Sequence, residues 1–219
     1  LYVELDSFVY FDASKVSNVN ALKTRIIEGL TTYSKSTDVN KFGGRFKYSK
    51  ALNIIDDIDN AITSNITRVK IRRNLRAVLN SFAQYELCFG NQFRINQEGK
   101  NIKSTGFTIE GENEIVYITD IPNKDNNGNL DGSGLGVISI VREDSLRNTV
   151  VVVKSAGTVD YIHGEIILTT VNITSTVKEN NVIEIQAFPD SNDVVGLKDL
   201  YLDFSISNTT INMVKDTIT

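Results

Sequence analysis

The sequence reads as an α+β protein, with an N-terminal part of two helices packed on a small sheet followed by a mainly antiparallel β part. Three observations carry that reading. Before residue 80, two apolar stripes recur at helical spacing. Beyond it, short β-branched and aromatic runs replace the helical period. Loops rich in Gly, Asn and Asp separate those runs, as turn chemistry requires. The expected division is an α+β domain over residues 1–79 and a β-rich domain over 80–219.

Leu1 to Phe11 alternates aromatic, aliphatic and acidic residues, the pattern of a strand with one buried face. Leu22, Ile26, Leu30 and Tyr33 then lay one apolar stripe along a helix, which Ser17 or Asn18 caps. Paired glycines in Phe42-Gly43-Gly44-Arg45-Phe46 allow the chain to turn. A second helix is expected from an N-cap at Ser49, with Ala51, Ile55, Ile58 and Ile62 on one face. From Ile66, a strand places Val69 and Ile71 inward and Arg68, Lys70 and Arg72 outward.

In the second half the expected strands are Tyr85 to Phe89, Thr105 to Ile109, Glu114 to Thr119, Gly136 to Arg142, Thr149 to Lys154, Glu165 to Ile173, Val182 to Ala187 and Leu200 to Ile206. Asn123 to Gly134 is a polar loop.

Composition narrows the chemistry. A hydrophobic share of 41% with a charged share of 23% is that of an ordinary globular chain. The net charge of -4 gives no diffuse attraction for nucleic acid or anionic lipid, so neither is an expected partner. Cys88 is the only cysteine, which rules out an internal disulfide and fits a reducing compartment. No apolar run is long enough for a spanning helix, and no membrane stage is expected. The sequence begins at Leu1 and its one methionine is Met213, so a fragment of a longer protein, or a processed chain, is expected.

No constellation assembles into an active site. His163 is the single histidine and lies in Tyr161-Ile162-His163-Gly164, which reads as a hairpin turn. Asp56, Asp57 and Asp59 splay around a helix that must bury Ile55 and Ile58, so they read as a solvated face rather than paired catalytic carboxylates. Asp125, Asn127 and Asn129 alternate as in a calcium loop, but Leu130 stands where that loop needs glycine. Gly132-Ser133-Gly134-Leu135-Gly136 runs into a strand without the lysine of a phosphate loop. The Asn-x-Thr triplets at Asn65, Asn172 and Asn208 have meaning only in a secretory compartment. No catalytic, cofactor-binding or metal-ligating residue is assigned, and no enzyme activity or small-molecule substrate is expected.

Arg68, Lys70 and Arg72, continued by Arg73 and Arg76, depart from the acidic whole. Three readings are open. The stripe is a solvated strand face that deters stray pairing, a protein-contact surface for an acidic partner, or, lacking interleaved aromatics, more remotely a nucleic-acid surface.

Several segments, in order and spacing, resemble the baseplate J-like wedge proteins of contractile-tailed phages, the inner-ring wedge subunits of T-even-like phages among them. They are Tyr33 with Phe42-Gly43-Gly44-Arg45-Phe46-Lys47-Tyr48-Ser49, then Asp56-Asp57-Ile58-Asp59-Asn60-Ala61-Ile62-Thr63-Ser64 leading into the Arg68 strand. Tyr85-Glu86-Leu87-Cys88-Phe89-Gly90-Asn91 and Gly157-Thr158-Val159-Asp160-Tyr161 with Gly164 complete the set. The resemblance implies a structural virion protein of the viral tail, assembled in the host cytoplasm. It would join neighbours into a ring around the tail hub and couple baseplate rearrangement to sheath contraction. Its implied partners are itself, as a homodimer or higher ring, and other baseplate wedge proteins; no cofactor is implied. A different class of function, a receptor- or glycan-binding tail module, would need Tyr2, Tyr10 and Tyr117 as sugar platforms, since Trp is absent.

Overall fold

The computed structural model of the chain describes residues 1–217. In chain order the elements are β1 (Tyr2–Phe11), α1 (Val19–Ser34), β2 (Lys41–Phe42), β3 (Arg45–Phe46), α2 (Tyr48–Asp56) and β4 (Ile62–Arg76). There follow β5 (Phe82–Cys88), β6 (Lys103–Ser104), β7 (Phe107–Ile109), β8 (Tyr117–Pro122), β9 (Leu135–Glu143), β10 (Thr149–Asp160), β11 (Glu165–Thr176) and β12 (Val182–Ala187). The chain ends with β13 (Val194–Val195), β14 (Tyr201–Phe204) and β15 (Thr210–Lys215). Two N-terminal helices with a mainly antiparallel set of strands make the fold α+β, as the sequence indicates.

The chain forms two compact units, one of Leu1–Ile71 with Ser191–Thr219 and the other of Arg72–Asp190. The C-terminal strands belong to the first unit because β13 pairs with β3 and both β14 and β15 pair with β1. Residues 218 and 219, assigned from sequence to the β-rich part, lie outside the described residues.

In the first unit the strand order is β2-β14-β1-β4, with β15 following β14 along the same side of β1. α1 begins where Asn18 Oδ1 accepts the Ala21 N–H at 3.1 Å, satisfying a donor the helix cannot pair itself. It buries Leu22, Ile26, Leu30 and Tyr33, the stripe read from sequence. Tyr33, Phe46 and Phe204 pack with centroids 5.0 to 6.0 Å apart, joining helix and strands in one aromatic cluster.

α2 corrects the sequence reading at both ends. It starts at Tyr48, whose N–H donates to Asp193 Oδ1 at 2.8 Å, so a carboxylate distant in sequence replaces the expected Ser49 cap. It stops at Asp56, short of Ile58 and Ile62. Asp59 Oδ1 accepts the Ala61 N–H at 2.9 Å, and Asp59 Oδ2 lies 2.6 Å from Arg25 Nη1, fixing a turn where the helix would continue. Ile62 then opens β4, which is longer than expected. Gly43, at φ +63°, provides the corner between β2 and β3.

In the second unit the order is β12-β6-β8-β9-β10-β11-β5, with β7 also on β11. β12 with β6, β6 with β8, β8 with β9, β9 with β10, β10 with β11, and β11 with β5 and β7 all pair antiparallel. β12 matches its expected bounds, while β10 and β11 run beyond theirs. Register shifts interrupt β10 between Val151 and Gly157 and β11 between Leu168 and Val171, so both strands continue through irregularities that break a simple alternation. Ile138, Ile140, Val159, Ile166, Leu168, Ile183 and Ile185 are buried here.

Candidate functional site

β4 carries the cations singled out from sequence, and it does not present them alike. Arg68 is exposed, Lys70 half-buried and Arg72 buried. The alternation changes phase at Ile71 and Arg72, both buried and adjacent, which overturns the outward placement of Arg72. Its guanidinium reaches Glu184 Oε1 at 3.2 Å and also meets Asn74 Oδ1. Arg73 donates to the Cys88 carbonyl. Arg72 therefore serves packing within its own unit, and of the three candidate contact residues only Arg68 stands fully exposed.

Strand edges offer further surface. β5 stands at the end of its row with a face exposing Phe82, Gln84 and Glu86. β15 flanks β1 in parallel, and no strand pairs its far side among the described residues. Such edges hold backbone donors and acceptors ready for another chain. Beside β2, Phe42 is 62% exposed and packs edge-on against Tyr201 at 5.3 Å, leaving an aromatic pair on the surface. In the second unit, exposed Leu130, Leu135 and Ile162 line an apolar depression of about 210 Å³ with Ile95 and Pro122. Strand ends of this kind cannot be found from sequence, because residue type does not reveal which strand lacks a neighbour.

The residues weighed for chemistry fall into structural roles. His163 lies in the four-residue turn between β10 and β11, as read from sequence. Its Nδ1 is 2.8 Å from Asp160 Oδ2, and that carboxylate's hydrogen bond raises the imidazole above its ordinary value. Burial pushes Asp160 up, but hydrogen bonds from His163 and Ile162 outweigh it and hold the carboxyl low. Gly164, at φ +67°, closes the turn where a Cβ would collide with the Asn91 carbonyl.

Asp56 accepts from Asn65 Nδ2 at 2.7 Å, while Asp59 faces Arg25. Asp125 Oδ1 accepts the N–H groups of Asn127 and Asn129, using its carboxylate to close its own loop. No group of three or more His, Cys, Asp or Glu poised for a metal occurs among the described residues. Tyr2, Tyr10 and Tyr117 are half-buried in strands rather than laid open as sugar platforms.

Sequence reading missed Asp120 and Tyr161. Asp120 is fully buried; its Oδ2 accepts the Tyr161 hydroxyl at 2.7 Å and its Oδ1 the Ile102 N–H at 2.6 Å. Burial pushes the Asp120 carboxyl up against those hydrogen bonds, and burial with the nearby carboxylate pushes the Tyr161 phenol up. The arrangement fastens three segments of one unit together.

Exposed strand edges and open apolar side chains make surfaces suited to meeting other chains. Residues 1–74, of 219, match the family described as baseplate structural protein gp6, C-terminal domain III. The match supports a structural component of a phage tail baseplate, and with it a place in the virion's tail and contacts with other baseplate components. No curated protein matches the chain.

Proposed function

We propose that the chain is a subunit of the baseplate wedge of a contractile tail, of the baseplate J-like kind. In this reading it associates with itself and with other wedge proteins into a ring around the tail hub and couples baseplate rearrangement to sheath contraction. The observation that carries the reading is the family match over residues 1–74, the stretch that holds both helices, β1 and most of β4. The unpaired side of β15 and the exposed Arg68 support it as surfaces suited to neighbours.

The division into an α+β part over residues 1–79 and a β-rich part over 80–219 belongs to the same proposal. Antibody raised against the chain tests the assignment on intact virions. Gold label confined to the baseplate end of the tail is the expected result; label along the tail tube, on the head or on no part of the particle contradicts it.

A further inference from the structure

We propose that a cationic cleft in the first unit is a docking site for an acidic segment of another polypeptide, recognised through its carboxylates. The cleft, of about 280 Å³, is lined by Tyr33, Asp38, Lys41, Arg45, Lys47 and Lys50, with Gly43. Four cations face one carboxylate there, although the chain as a whole carries a net charge of -4. All four are exposed, and none has an ion-pair partner among the described residues.

Some cations elsewhere are paired. Arg25 meets Asp59, Arg142 meets Glu112 and Glu114, and Lys178 meets Glu184. Like charges gathered in excess of their counter-charge, here four cations to the one Asp38 carboxylate, repel one another, and a ligand that neutralises them relieves that repulsion.

The cleft is also held in shape. The Lys47 N–H donates to the Tyr33 hydroxyl at 2.8 Å, the Arg45 N–H to the Asp38 carbonyl at 2.8 Å and the Gly44 N–H to the Lys41 carbonyl at 3.2 Å. Lys50 Nζ sits 4.9 Å from the centre of the Tyr33 ring. The cations thus stand on a fixed floor, so less ordering is required when a ligand arrives.

A carboxylate-bearing peptide fits this chemistry better than nucleic acid. Single-stranded nucleic acid binds where aromatic faces are free to stack on bases. The one aromatic in the cleft lining, Tyr33, is only 4% exposed, with its hydroxyl engaged by Lys47, while the exposed Phe42 is packed edge-on against Tyr201.

The test is fluorescence anisotropy with a labelled peptide of about ten glutamates, read in about 50 mM and about 300 mM salt, because screening separates charge-driven binding from the rest. A glutamine peptide and a single-stranded DNA of equal length serve as competitors. The variants are Lys41→Gln, Arg45→Gln, Lys47→Gln and Lys50→Gln combined, and Lys100→Gln with Lys103→Gln on the second unit as a control. Circular dichroism checks folding; should the fourfold variant unfold, Lys41→Gln with Arg45→Gln replaces it.

The expected result is salt-sensitive binding that falls about tenfold or more in the cleft variant and is unchanged in the control. Several results overturn the proposal: no binding by the unaltered chain, equal binding by the cleft variant, tighter binding of DNA than of glutamate, or equal binding of the glutamine peptide. So does loss of self-association in the cleft variant with peptide binding intact, since the occupant would then be a second copy.

Discussion

Asp120 shows how a single buried residue holds segments distant in sequence. Its carboxylate serves both Tyr161 and Ile102, so its removal leaves two polar groups without a partner in the interior. Asp120→Ala is expected to lower stability by about 2 to 4 kcal/mol in urea unfolding, whereas a loss below about 0.5 kcal/mol would mean the interaction is incidental. Because burial raises this carboxyl, the protonation-linked part of its contribution to stability is fully present below its ordinary value of 3.8 and is lost as pH rises through the higher folded value.

His163 gives the second residue-scale test. Its folded value is raised chiefly by the Asp160 hydrogen bond, so the stability it adds is full below 6.5 and is lost as pH rises through the folded value. An NMR titration should place the His163 midpoint above 6.5, and Asp160→Asn should bring it back toward that figure. Identical midpoints in the two proteins would show that the 2.8 Å contact is not maintained in solution.

Among the elements, β4 is the most instructive, because equivalent side chains on one strand have opposite fates. Arg68 is exposed and Arg72 buried against Glu184. Arg68→Ala should change stability by less than about 0.5 kcal/mol, and Arg72→Ala should cost about 2 kcal/mol. That second figure sits low in the range for buried pairs because Glu184 is partly exposed and keeps Lys178 as a partner. Equal losses at both positions in urea unfolding would refute the burial difference along the strand.

What was legible in the sequence follows the range of each signal. The α1 stripe and its Asn18 cap are local, and both appear as read. The Tyr161 to Gly164 turn is local too. The Ile58 and Ile62 positions continue a helical period, but Arg25 and Ala61 engage Asp59 and end the helix first. Asp193 caps α2 from far along the chain, which no short window reveals. β15, TINMVK, has too little alternation to stand out and is organised by its parallel partner β1. The basic stripe was visible as charge, while the burial of Arg72 depends on Glu184, distant in sequence.

On the scale of the whole molecule, the chain forms two compact units and passes between them after Ile71 and after Asp190. Each contains a strand edge without a partner strand among the described residues, β15 in the first and β5 in the second. Unpaired edges and exposed apolar groups are costly in a protein that acts alone and useful in one built to join others. The family match over residues 1–74 points the same way, toward a part of an assembly.

The most direct test is the mass of the purified chain by multi-angle light scattering across a concentration series, alone and with purified neighbouring baseplate proteins. A docking protein should exceed its single-chain mass of 24.3 kDa as concentration rises, and should form a heavier species with those neighbours. A mass fixed at 24.3 kDa throughout, with and without them, would contradict the account.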